Sequence, residues 1–123
     1  MAYQLTVHPK AGFLHFIVTG QNSKENVEQY LEEILRECQS RNCFKVLIEE
    51  RLEGPRLKML DVFEIVSKGT TKARGILQTV AYVDVNAEGD LMNFAENVAN
   101  NRALPMKIFS NLGDAEKWMM AKI

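Results

Sequence analysis

Four times along the chain a short apolar run of strand character gives way to a longer stretch whose apolar residues recur at helical spacing, and one further strand-like segment precedes them all. Strand, helix, strand in repeated succession calls for a mostly parallel sheet with helices packed against it, because parallel neighbours must be joined by crossovers. In the opening segment Tyr3, Leu5 and Val7 alternate with Gln4, Thr6 and His8, a strand with one buried face. Pro9-Lys10-Ala11-Gly12 supplies turn chemistry, and Phe13 to Thr19 forms a second strand that ends at Gly20. The two read as an antiparallel hairpin at the edge of the sheet.

The helical stripes are regular. Val27, Tyr30, Leu31, Ile34, Leu35 and Cys38 mark the first helix, for which Asn22 is the expected N-cap and Glu25 the partner of a capping-box-like pair. Ser40-Arg41-Asn42 breaks it. Phe44 to Glu49 supplies the third strand, and Arg51 to Pro55 reads as a loop. Met59, Val62, Phe63 and Val66 give a second helix ending near Gly69, followed by a fourth strand over Ile76 to Val83 and a loop from Asp84 to Gly89. Leu91, Phe94, Ala95, Val98 and Ala99 mark a third helix, Met106 to Phe109 a fifth strand, and a last helix from about Asp114 buries Ala115, Trp118 and Met119. The element order is therefore ββαβαβαβα, an α/β fold with a mixed five-stranded sheet. With 123 residues and no repeat or linker tract, residues 1–123 read as a single domain.

Bulk properties exclude several classes. A net charge of −1 provides no field for nucleic acid, and the longest apolar runs, Val80 to Val83 and Trp118 to Ala121, fall far short of the ~20 residues of a membrane span. The opening Met-Ala-Tyr-Gln-Leu-Thr-Val has neither the basic nor the apolar region of a secretory signal, so the cytoplasm is the expected location. Cys38 and Cys43 are the only thiols, too few for a structural zinc site with His8 and His15 far upstream; a buried core thiol is the expectation for Cys38, and no metal or cofactor is expected.

Catalytic signatures are missing as well. There is no glycine-rich phosphate loop, Gly-Lys-Ser/Thr, His-Glu-x-x-His or Gly-x-Ser-x-Gly string. His15 shares a strand face with Phe13 and Ile17 and reads as a satisfied, partly buried histidine rather than a base. Carboxylates do gather at strand ends, where open α/β sheets bind ligands. Asn22, Glu49, Asp84 and Ser110 are candidates for lining such a crevice, against the plainer reading of caps and ion pairs, for example Glu49 or Glu53 with Arg51. Charge is segregated too. The first helix carries Glu25, Glu28, Glu32, Glu33 and Glu37, whereas Arg51, Arg56, Lys58, Lys68, Lys72 and Arg74 cluster further on. Two solvated helix faces would account for this.

Three strings together resemble a known family: FLHFIVTGQNSKEN (residues 13–26), KVLIEERLEGPRLKMLDVFEI (residues 45–65) and FAENVANNRALPMKIFSNLGDAEKWM (residues 94–119). In order and spacing they are similar to the SpoIIAA-like domain family, whose fold is related to STAS domains, over nearly the whole chain. The resemblance implies a mixed sheet with helices mainly on one face. It also implies a regulator that docks on a protein partner and is switched by phosphorylation of a serine at the start of the second helix. Here that stretch reads Gly54-Pro55-Arg56-Leu57-Lys58-Met59, which has no hydroxyl to modify.

Three functions follow as expectations. The first is a non-enzymatic regulatory or protein-interaction module, docking through Arg51, Glu53, Leu57, Lys58 and Asp61. The second is a binding domain for a small apolar or amphipathic ligand, with Phe63, Val66, Met92, Phe94, Trp118, Met119 and Met120 around the pocket, although such residues are ordinarily core. The third, an enzyme using Glu49 and Asp84, needs both groups within reach of one substrate position. The first strand also offers an edge through which a homodimer would pair.

Overall fold

The computed structural model describes residues 3–54, 56–73, 75–84, 89–102 and 104–122, except the side chains of residues 89–92. Among the described residues nine elements follow in the expected order: β1 (Tyr3–Lys10), β2 (Phe13–Gln21), α1 (Lys24–Arg41), β3 (Lys45–Glu53), α2 (Met59–Ala73), β4 (Thr79–Asp84), α3 (Gly89–Asn101), β5 (Met106–Phe109) and α4 (Leu112–Met120). The strands lie side by side in chain order, β1 antiparallel to β2 and the remaining neighbours parallel.

That order determines where the helices go. Crossovers between parallel strands are right-handed, so three crossovers advancing in one direction deposit their helices on one face. Accordingly α1 packs on α2 and α2 on α3, while α4 alone packs against β3, β4 and β5 from the opposite side. The pleat then splits the strand residues between two cores. Leu14, Phe16, Val18, Val46, Ile48 and Val80 meet Tyr30, Ile34 and Cys38 of α1 and Ile65 of α2. Phe13, Leu47, Ala81 and Val83 meet Ala115 and Met119 of α4. Burial of each large side chain here contributes roughly 1.5–3 kcal/mol.

Local chemistry moves several boundaries from where the sequence puts them. The hairpin turns on Ala11 and Gly12 alone, with Lys10 opposite Phe13 and Gly12 at φ 92°, so Pro9 stays in the edge strand. Gly20 does not end β2; it continues at φ 130° to Gln21. The N-cap of α1 is Ser23 rather than Asn22, its hydroxyl accepting the Asn26 N–H at 3.1 Å. Asn22 instead donates its backbone N–H to the Glu53 carbonyl, and the Asn26 amide donates to the Gln21 carbonyl at 2.9 Å. These bonds tie the start of α1 to the end of the sheet.

Asn42 closes α1 in the left-handed conformation, φ 52°. Arg51–Glu53 are strand rather than loop, because they pair with Thr19–Gln21 of β2. The second helix passes through Gly69 to Ala73, whose carbonyl accepts the N–H groups of Ile76 and Leu77 and keeps both out of β4. Residues 85–88 of the expected Asp84 to Gly89 loop lie outside the described residues. The last helix starts at Leu112, where Asn111 caps it by accepting the Asp114 N–H at 2.9 Å.

Candidate functional site

Between α1 and α2 on one side and the sheet on the other lies a cavity of about 430 Å³, within the ~300–1,000 Å³ typical of small-molecule sites. Its walls are mainly aliphatic: Leu31 and Leu35 from α1, Val62 and Val66 from α2, Ile48 from β3 and Ile108 from β5. The space exists because α2 turns small residues toward the sheet. Gly69, Thr70 and Ala73 border the cavity, and a Cβ placed on Gly69 would meet nothing within 4 Å. Along the rim, Glu28 and Glu32 of α1 pair with Lys68 and Lys72 of α2, and beyond the cavity Lys24 pairs with Glu64. The acidic and basic stretches are thus two faces of one interhelical seam.

The polar end sits at the carboxyl ends of β3 and β4, where Glu50, Tyr82 and Asp84 border the cavity together with Arg56. Behind them Tyr30 of α1 is fully buried. Its hydroxyl donates to Glu50 Oε2 at 2.5 Å, Tyr82 donates to the same oxygen, and the two phenol oxygens touch. Burial pushes the Glu50 carboxyl above its usual range and the Asp84 charge adds to this, while the two phenol donors and Arg56 pull it back. Both phenols are held well above their ordinary value of 10, by burial first and the Glu50 charge next, so they remain protonated donors.

No family model matches the chain, and no curated protein matches it. Among solved structures it is similar to an uncharacterized protein of the DUF3478 family with a SpoIIAA-like fold from Shewanella loihica PV-4. The two are 22% identical, with 96% of this chain and 94% of that chain covered at a TM-score of 0.55. The fold is SpoIIAA-like.

Within this SpoIIAA-like fold the residues singled out by sequence fall in different places. Asn22 and Asp84 both border the cavity, and Asp84 faces Arg56 at 3.9 Å. Glu49 does not join them. The pleat aims it at the α4 side, where it is 7% exposed, contacts His15 Nε2 at 2.9 Å and accepts from Arg51 Nε at 2.6 Å. Ser110 is exposed beyond β5. The expected four-residue crevice is therefore divided by the sheet, with Glu49 on one face and Asp84 on the other.

The expected docking residues separate in the same way. Leu57, Lys58 and Asp61 lie at the start of α2, next to Met59 and Leu60, which are 50% and 67% exposed. Arg51 lies with Glu49 on the other side of the sheet, and Glu53 is exposed at the end of β3. Of the apolar residues expected around a pocket whose side chains are described, only Val66 borders the cavity. Phe63 and Phe94 pack on each other with centroids 6.3 Å apart, and Trp118 and Met119 belong to the α4 core. Met120 is exposed, and the Met92 side chain lies outside the described residues. Cys38 is buried and its thiol pushed up to about 12, mainly by desolvation. Among the described residues no cluster of His, Cys, Asp and Glu could hold a metal, and no helix is long and apolar enough to cross a membrane.

The residues sequence reasoning missed are Glu50, Tyr30 and Tyr82. Strand parity held the signal. Ile48 and Glu50 share a face, as do Val80 and Tyr82, and the register sets Ile48 opposite Tyr82. A tyrosine within the apolar stripe of α1, facing that same sheet, completes the set.

Proposed function

We propose that the protein is a non-enzymatic binding domain for a small, mostly apolar molecule with one polar end, held between α1, α2 and the sheet. The cavity carries this reading: about 430 Å³, aliphatic along its walls, with a hydrogen-bonded polar cluster at one end. Protein interiors are close-packed, with few voids larger than a water molecule. The rim of exposed Lys68 and Lys72 leaves the space open to solvent, and an apolar occupant would take its aliphatic walls out of water at about 25 cal/mol per Å². Space of that size argues for an occupant. Native mass spectrometry of protein purified without detergent tests it. A bound mass that disappears on denaturation, and is reduced in a Val66→Phe variant, supports the reading; a bare protein that also takes up no added amphiphile contradicts it.

A second reading, a docking module, draws on Met59 and Leu60 projecting from the start of α2 beside Lys58. Charge reversal at Lys58 together with Leu60→Asp would release a captured partner protein under this reading, and Val66→Phe would not.

A further inference from the structure

We infer that the polar end of the cavity selects a ligand whose head donates hydrogen bonds, an amine, alcohol or amide on an apolar body, and disfavours a carboxylate head. The inference rests on the proposed reading of the cavity as a ligand site, and two independent observations lead to it. The first is the donor inventory. A phenol has one hydrogen to give, and those of Tyr30 and Tyr82 are both committed within the cluster, to Glu50 or to each other. What these three residues still offer a ligand is acceptor capacity: phenol lone pairs, and a carboxylate that accommodates about four hydrogen bonds on its two oxygens, while Arg56, the donor at this end, faces Asp84.

The second is the charge balance of the lining. Among the described residues four carboxylates border the cavity, Glu28, Glu32, Glu50 and Asp84, against three cations, Arg56, Lys68 and Lys72. Each cation faces a carboxylate of the lining: Arg56 faces Asp84, Lys68 faces Glu28 and Lys72 faces Glu32. Among these described groups Glu50 is the carboxylate in excess, sharing the Arg56 charge with Asp84, and it lies at the end where the ligand's polar group must sit. A second carboxylate placed there would meet like charge in a poorly solvated space, which costs several kcal/mol. An ammonium group would instead relieve the desolvated charge of Glu50. Its binding and the ionisation of Glu50 would reinforce each other.

Isothermal titration at pH 7 with decylamine, decanol and decanoate, each below its aggregation limit, separates the outcomes, because the three share a chain and differ in the head. The expected result is binding of decylamine and decanol, with decanoate at least tenfold weaker than decylamine. In Glu50→Gln that gap narrows, because the amide carries no charge and can itself donate. Decanoate binding as tightly as decylamine to the wild-type protein overturns the inference and leaves the cavity reading standing. A decylamine affinity unchanged in folded Glu50→Gln overturns the assignment to Glu50. If none of the three binds, the cavity reading falls and the inference falls with it. Should Glu50→Gln fail to fold, the wild-type series decides alone.

Discussion

Replacing Tyr30 by Phe tests the polar cluster with little disturbance to packing. The ring, and its edge-on contact with Tyr3 at 6.0 Å between centroids, is retained, and one hydroxyl is removed. That hydroxyl donates at 2.5 Å to a carboxylate in a desolvated setting. A hydrogen bond to a charged group contributes about 1.5–3 kcal/mol, which for a chain of this length lowers the melting temperature by roughly 5–15 °C. The loss is also pH-dependent, with a definite sign. Burial raises the folded-state pKa of Glu50 above its unfolded value, and the Tyr30 donor opposes that rise. Without the donor the folded pKa climbs further, so more stability is lost as pH rises through the folded-state titration. Below about pH 4, where Glu50 is protonated in both states, the deficit shrinks toward that of a neutral hydrogen bond. Urea unfolding of wild type and Tyr30→Phe at pH 7 and near pH 4 measures both quantities. A deficit below about 0.5 kcal/mol at pH 7, or one equal at the two pH values, would refute the reasoning.

Three further outcomes follow. Gly69→Ala, whose new methyl meets only cavity space, stabilises α2 by about 0.5–1 kcal/mol, visible as a higher denaturant midpoint at unchanged slope; a loss would mean the site is not open. Val66→Phe fills the cavity, so calorimetry finds decylamine bound at least tenfold more weakly while the circular dichroism spectrum stays native; unchanged affinity would place the ligand elsewhere. Cys38, buried with its thiol pushed up to about 12, reacts with a thiol reagent at pH 8 only on unfolding, whereas Cys43, half-buried, reacts in the native state; fast labelling of both would contradict the α1 packing.

Period and breaker residues carried most of the fold into view. The Val27-Tyr30-Ile34-Cys38 stripe lies on the sheet as its spacing implies, and all nine elements occur in order. Boundaries shifted where a hydrogen bond outweighed a local preference, as when Ser23 rather than Asn22 capped α1 because the Asn22 N–H is drawn to Glu53. The site was harder to see. Glu49 and Glu50 are adjacent and chemically alike, and only the pleat and the placement of three helices on one face decide that Glu50 enters the cavity. Met and aromatic residues near the C-terminus suggested a pocket, but the strand order sends α4 to the opposite face, where Met119 is core and Trp118 packs against it. The pairing of acidic α1 with basic α2 likewise depends on tertiary contact, since Glu32 and Lys72 lie forty residues apart.

The most direct test of a ligand between α1, α2 and the sheet is methyl NMR of the protein titrated with decylamine. Contacts from the alkyl chain to methyl groups of Leu31, Ile48 and Val66, and none to Leu47, Ala81 or Met119 on the α4 side, are the predicted result. Contacts confined to the α4 side, or to the exposed Met59 and Leu60, would contradict it.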